Sequence, residues 1–198
     1  MNQLDLPLRP STAALAHDQI RGLVVVDSNR HAFTEALRWH RRPADLGNPL
    51  LIVGPPGAGK TRLARAALQL ARAGGARAER LPAAEFEYRY MRALIELSMD
   101  AHRQHYRRNL DALVLEHLED LDGRRHILEE VRFTIHALLD RDRPVLVTLT
   151  QAHRERRRLL DWWRSTFRGS RIARIRQPAI AAWRLRCPRC SIRLAEQA

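Results

Sequence analysis

One octet constrains this chain more than any other stretch: Gly54-Pro55-Pro56-Gly57-Ala58-Gly59-Lys60-Thr61. It satisfies the phosphate-binding pattern G-x-x-x-x-G-K-[ST] in full. Four apolar residues, Leu50-Leu51-Ile52-Val53, lead into it, and good helix formers, Arg62-Leu63-Ala64-Arg65-Ala66-Ala67-Leu68, follow. A strand, a glycine-rich loop and a helix form the setting this pattern requires. The glycines let main-chain N–H groups curl around the β- and γ-phosphate oxygens, and the helix N-terminus adds partial positive charge. Lys60 is then placed to reach the terminal phosphates, and the Thr61 hydroxyl to ligate Mg²⁺. The residues expected to contact the cofactors, ATP and Mg²⁺, are Gly54, Pro55, Pro56, Gly57, Ala58, Gly59, Lys60, Thr61 and Arg62. A bland Gly/Pro turn before a surface lysine accounts for neither flank.

Composition sharpens the point. Of 35 basic side chains Lys60 is the only lysine. An arginine-biased chain thus places its one compact point charge where phosphates are to be gripped. A length of 198 residues suits one domain with a short appendage. The first twenty residues include Asp5, Pro7, Pro10, His17 and Asp18, which do not form a signal peptide. Apolar runs such as residues 23–26 and 50–53 are far too short to span a bilayer. A cytoplasmic location without membrane attachment is therefore expected. Two cysteines, Cys187 and Cys190, cannot build a disulfide framework. The net charge of +13 is uneven: residues 151–198 hold thirteen arginines against three acids, Glu155, Asp161 and Glu196. A basic region of this kind reads either as a surface for DNA or as a solvated, arginine-rich face.

Taken in order, residues 1–20 read as a flexible leader. Leu23-Val24-Val25-Val26 reads as a short extended segment, and Asp27-Ser28 as the cap of a helix over about 29–41 with Phe33, Ala36, Leu37 and His40 on one side. The spacing predicts a strand at 50–53 and the loop helix to about Arg72, stopped by Gly74-Gly75. It predicts a second strand at 76–81 and a helix from Pro82 with Phe86, Tyr90, Leu94 and Leu97 on one face, continuing or restarting through Tyr106. A strand at 110–115 ends in Glu116-His117. Gly123 precedes an amphipathic helix carrying Ile127, Leu128, Val131, Ile135, Leu138 and Leu139. Val145-Leu146-Val147-Thr148-Leu149-Thr150 is a strand, 154–164 a helix and 171–175 an edge strand. Alternating strands and helices predict an α/β fold: a three-layer α/β/α sandwich around a mostly parallel five-stranded sheet, with ligand at the carboxyl ends of the strands.

Several motifs then fall in a familiar order. Leu23-Val24-Val25-Val26-Asp27-Ser28-Asn29-Arg30 resembles the FVVGxxNR segment of DnaA-type AAA+ proteins. Asn48-Pro49-Leu50, Ala83-Ala84-Glu85-Phe86, Tyr106-Arg107, Val147-Thr148 and Ser165-Thr166-Phe167 follow where that family has counterparts. Residues 21–178 resemble the family's nucleotide-binding core, a P-loop NTPase fold whose relatives include the shorter regulator Hda and the loader DnaC. The resemblance implies that Val25 and Asn29 flank the adenine, and that Glu116 joins Thr61 in holding Mg²⁺. It implies catalytic positions at Glu116, His117 and Thr150.

The chain departs from the family at those positions. Where the family has Asp-Asp after its apolar strand, this chain has Glu116-His117. A neutral imidazole can accept a proton; the other reading of His117 is a strand-end residue with no catalytic part. Thr150 stands where the family has Asp, and reads either as a γ-phosphate or water ligand or as a plain strand end. Ser165-Thr166-Phe167 replaces Ser-Arg-Phe, which leaves Arg164 and Arg168 as substitutes for an arginine that reaches a neighbouring subunit. Beyond Pro178 the family continues into a helical lid, and DnaA into a DNA-binding domain; the twenty residues 179–198 are expected to form a basic tail instead. Cys187-Pro188-Arg189-Cys190 resembles half of a zinc site, to be completed by a dimer or a residue such as His153, or else is an exposed tail.

The expected function is ATP binding in the initiation of DNA replication or its regulation. Nucleotide would act as a switch, hydrolysis would be weak or absent, and partners would be DNA through residues 151–198, further copies of the chain or a replication protein. The alternative is a non-catalytic nucleic-acid adaptor on a degenerate nucleotide fold. A decayed, nearly inert paralogue is a third.

Overall fold

The computed structural model describes residues 27–40, 47–151 and 157–176. Five strands, β1 (Leu50–Gly54), β2 (Ala78–Pro82), β3 (Ala112–Glu116), β4 (Val145–Thr150) and β5 (Arg171–Arg174), form one sheet in the order β2-β3-β4-β1-β5. Every pairing is parallel. The helices are α1 (Asp27–Arg38), α2 (Lys60–Ala73), α3 (Ala83–Ile95), α4 (Met99–Gln104), α5 (Arg125–Leu139) and α6 (Arg157–Thr166). The segment 23–26, His153, Cys187, Cys190 and the tail 179–198 lie outside the described residues.

A parallel sheet covered on both faces needs strands that are apolar on both sides, and β1, β3 and β4 are buried along their whole length. Alternation splits them into two cores. Leu51, Val53, Leu113, Leu115, Val145, Val147 and Leu149 pack with Phe86 of α3, Ile135 of α5 and Trp163 of α6. Leu50, Ile52, Ala112, Val114 and Leu146 pack with Ala32 and Ala36 of α1 and with Leu63, Ala64 and Ala67 of α2. The three-layer α/β/α sandwich expected from the pattern is the fold, with α1 and α2 on one face. No helix among the described residues is long and apolar enough to cross a membrane.

Boundaries shift for local reasons. β2 begins two residues late because Gly75 and Ala76 donate back to Arg72 and Ala71, completing the end of α2. β3 begins at Ala112 because residues 105–109 form a π-helical turn and Asp111 N–H is spent on Arg77 O. The chain restarts rather than continues between α3 and α4: Leu97 takes a left-handed φ of 53°. α1 ends at Arg38, and its buried stripe is Ala32, Glu35, Ala36 and Trp39 rather than the side bearing His40. An ion pair from Arg171 of β5 draws Glu35 inward. Asn48 binds the start of β4 to the start of β1: its amide donates to Arg143 O (2.8 Å) and accepts from Val145 N (3.0 Å).

Between α3 and α4 an aromatic cluster holds a buried imidazole. His102 lies 5.5 Å from the Phe86 ring, 5.9 Å from Tyr90 and 4.8 Å from Tyr106, and its Nε2 has no hydrogen-bond partner. Burial, and then the cations around it, His105, Arg107, Arg103 and Arg89, hold its pKa down to about 4 from 6.5. The unfolded chain therefore takes up this proton below about 6.5 and the folded chain only below about 4. Stability falls as pH drops through that window. His102→Phe should remove a loss on the order of 2 kcal/mol between pH 7.5 and 5. Urea unfolding of both proteins at the two pH values measures it, and equal losses in wild type and variant would contradict the assignment.

Candidate functional site

Because all strands run parallel, their carboxyl ends share one edge of the sheet. Gly54 of β1 pairs in register with Thr150 of β4, and Gln151 N donates to Gly54 O (3.1 Å). A Cβ on Gly54 would lie 3.0 Å from both Cβ and O of Ile175, so only glycine lets the chain after β5 approach this closely. Ile175 N donates to Val53 O (2.7 Å) and Arg176 N to Ser28 O (3.0 Å), which seats the start of α1, with Asn29, beside the loop. Val25 lies outside the described residues.

Residues 54–61 turn into α2 through Gly59, whose φ of 91° is left-handed, and no side chain caps the helix. The first N–H groups of α2 are therefore uncapped, the arrangement that receives an anion. Pro56 is exposed, Pro55, Gly57-adjacent Ala58 and Thr61 are partly buried, and Arg62 faces solvent. Lys60 is buried, and its Nζ donates to Gly54 O (3.0 Å) and Pro55 O (2.8 Å). Burial lowers the pKa of its ammonium, and the charge of Glu119 opposes that shift.

The strand-end acids are engaged within the protein. Glu116 occupies the face of β3 shared by Ala112 and Val114, the face that α2 covers, and is 1% exposed. Arg80 of β2 forms an ion pair with its Oε2, while Oε1 is buried without a hydrogen-bond partner. His117 follows with φ 59° and ψ 51°. This left-handed residue, held by His117 N donating to Thr148 Oγ1 (3.1 Å), reverses the chain into a 3₁₀ turn, Leu118–Leu121.

That turn carries Glu119 back under β4. Its Oε2 accepts Thr150 N–H (2.8 Å), and its Oε1 lies 3.3 Å from His117 Nδ1. Burial pushes the Glu119 pKa up, but hydrogen bonds from Thr150, its own N–H and His117 outweigh burial and hold it below the usual carboxylate range. Sequence reasoning did not single out Glu119, which stands in an acidic run, Glu119-Asp120-Leu121-Asp122. The one available signal is the spacing of Leu118 and Leu121, both fully buried, which fixes the turn that aims Glu119 inward.

The structure therefore brings together Gly54, Gly59, Lys60, Thr148, Thr150, His117 and Glu119, with Glu116 one strand further out. Arg164 and Arg168 are both exposed, and Arg164 lies 3.6 Å from Asp161. Between them Phe167 packs on Trp163 at 4.5 Å. That segment is anchored by its aromatic residue.

Residues 18–172 match the sequence model of the bacterial DnaA ATPase domain. The chromosomal replication initiator protein DnaA of Corynebacterium aurimucosum is 31% identical over 157 residues. That match spans 78% of this chain and 29% of the relative's length. Among solved structures, AMPPCP-bound DnaA from Aquifex aeolicus superposes with a TM-score of 0.73 at 22% identity, covering 91% of this chain and 54% of that one. A replication initiator DnaA bound to AMPPCP and single-stranded DNA gives 0.67 at 24%, covering 80% and 50%. With the family's sequence model spanning most of its length, the chain belongs to the bacterial DnaA ATPase-domain family.

Proposed function

We propose that this chain binds ATP as a conformational switch in the initiation of DNA replication or its regulation, and that binding outruns hydrolysis. The observation that carries the reading is the loop itself: a left-handed Gly59 opening an uncapped helix, with a buried ammonium at its mouth. An ammonium has three donors, and Lys60 spends two on loop carbonyls. A terminal phosphate offers the third a charged acceptor, about twice as strong as a neutral one. The relatives bound to AMPPCP, itself a triphosphate, support the same ligand class.

Thr61 and Glu116 fit Mg²⁺. Oε1 of Glu116 is a buried acceptor without a donor, the kind a metal-bound water satisfies. Bound there, the ion would supply positive charge against the phosphates. Weak turnover follows from how the strand-end groups are engaged. Glu116 is tied to Arg80, and Glu119 to Thr150 N–H and the His117 ring. Glu119 thus has no oxygen left to take a proton from water, and the one unpartnered oxygen of Glu116 belongs to a carboxylate already compensated by Arg80. His117, with its second nitrogen uncommitted to Glu119, is the remaining base.

A switch needs a segment whose position depends on the phosphates. The turn bearing His117 and Glu119 is held by Thr148 and Thr150 of β4 and is electrostatically coupled to Lys60. A ligand drawing on Lys60 changes the field at Glu119.

Lys60→Ala should lower ATP affinity at least ~100-fold, about 2.7 kcal/mol, with the circular dichroism spectrum unchanged; equal affinity in calorimetry would refute the reading. Purified wild type should bind ATP yet turn it over below ~0.1 s⁻¹, about a hundredth of a typical enzyme, as followed by phosphate release.

The adaptor reading rests on charge. Arg158, Arg164, Arg168, Arg174 and Arg176 are all exposed. If the chain is a switch, anisotropy with single-stranded DNA should show affinity that rises with ATP. Affinity falling steeply with salt but indifferent to ATP would favour the adaptor.

A further inference from the structure

The ion pair at the end of β2 changes what the metal corner can do. Arg80 stands on the edge strand, diagonal to Glu116: the register pairs Arg80 with Val114 and Pro82 with Glu116. Both residues lie on the face covered by α2, beside Ala78, Ala112 and Val114. The Glu116 side chain is 2% exposed and that of Arg80 27%, so the pair is formed largely out of water. Arg80 has no other ion-pair partner among the described residues. Its charge is thus committed to the one carboxylate that fits Mg²⁺.

We propose that Arg80 is a built-in counter-charge at the metal corner, and that it makes nucleotide binding by this chain nearly independent of Mg²⁺. The physical argument is one of charge. A buried carboxylate without a counter-ion is costly and attracts cations strongly; one already paired to a guanidinium has little net charge to offer. A dication entering beside Glu116 also meets the guanidinium, and at short range in a low-dielectric site that repulsion is poorly screened. Oε1 still offers one acceptor to a metal-bound water, but without the charge that ordinarily holds the ion.

This inference rests on the reading of the loop as a nucleotide site, and the test separates the two. AMPPCP affinity is measured by calorimetry in EDTA and in about 5 mM Mg²⁺ at matched ionic strength, for wild type, Arg80→Met and Arg80→Gln, the last keeping a neutral donor to Glu116. Wild-type affinity should change less than about 3-fold between the two media. Both variants should gain a Mg²⁺ preference at least ~10-fold larger than wild type. Thermal melts without nucleotide supply a second readout: Mg²⁺ should raise the midpoint of the variants and leave wild type unmoved.

A wild-type preference above about 10-fold overturns the proposal. So do folded variants whose preference and Mg²⁺-induced shift match wild type. Should Arg80→Met fail to fold, Arg80→Gln and the wild-type ratio decide. If wild type binds AMPPCP in neither medium, the nucleotide reading fails, and the melts alone decide whether Arg80 shields the metal corner.

Discussion

Parallel register is the constraint from which the site follows. Side chains alternate along a strand, so a one-residue slip between β3 and β4 would turn Glu116 away from α2 and break the bond from His117 N to Thr148. The registers of β1 with β4 and of β3 with β4 put Gly54, Thr150 and His117 at one edge. Both registers are enforced by burial, since Leu51, Val53, Leu113, Leu115, Val147 and Leu149 all belong to the core beneath α3, α5 and α6. Burying one such side chain stabilises by about 1.5–3 kcal/mol, so a slip that exposed several is energetically closed. The core fixes the site without contributing an atom to it.

Within that frame the buried charges of the site, Lys60, Glu116 and Glu119, each have a partner inside the protein. Lys60 holds two loop carbonyls and feels Glu119; Glu119 holds a main-chain N–H and an imidazole; Glu116 holds Arg80. A charge that loses its partner in a low-dielectric site costs several kcal/mol, so these arrangements persist until a ligand offers something better. A triphosphate would do so for Lys60, because phosphate oxygens carry more charge than carbonyls. Water does not do so for Glu119, whose two oxygens are already engaged. On the proposed reading, binding is thereby favoured over proton transfer.

What the sequence shows depends on whether a feature is local. The loop residues 54–61 are legible because phosphate binding needs glycines and a lysine at fixed spacing, and β4 is legible because six consecutive β-branched and apolar residues admit few other fates. The face of α5 follows from helical period alone. Glu119 and Arg80 were illegible for the opposite reason. Each acquires its role from a contact made by folding, Arg80 with a residue thirty-six positions away and Glu119 with one thirty-one away. In the sequence both look like ordinary surface charges, in a weak strand and in an acidic run. His117 lies between these cases: its place at a strand end was readable, but its left-handed backbone, and hence the turn that aims Glu119, was not.

The edge position of β2 explains why such an arginine is tolerated. A central strand is covered on both sides, and a guanidinium there would have to be wholly desolvated. On an edge strand Arg80 reaches Glu116 with one nitrogen while its side chain stays 27% exposed. The same argument applies at the other edge, where Arg171 of β5 pairs with the buried Glu35 of α1 and is 36% exposed. Both edges of the sheet thus carry an arginine that neutralises an acid buried between the sheet and the α1–α2 layer. Edge strands are also where unpaired N–H and C=O groups invite foreign strands, and charged side chains discourage that pairing. In an arginine-rich chain one residue type serves both needs, protecting the sheet edge and compensating a buried carboxylate. At β2 that compensation falls on an acid at the same strand-end edge as the loop 54–61, so a solution to a folding problem reaches the candidate site.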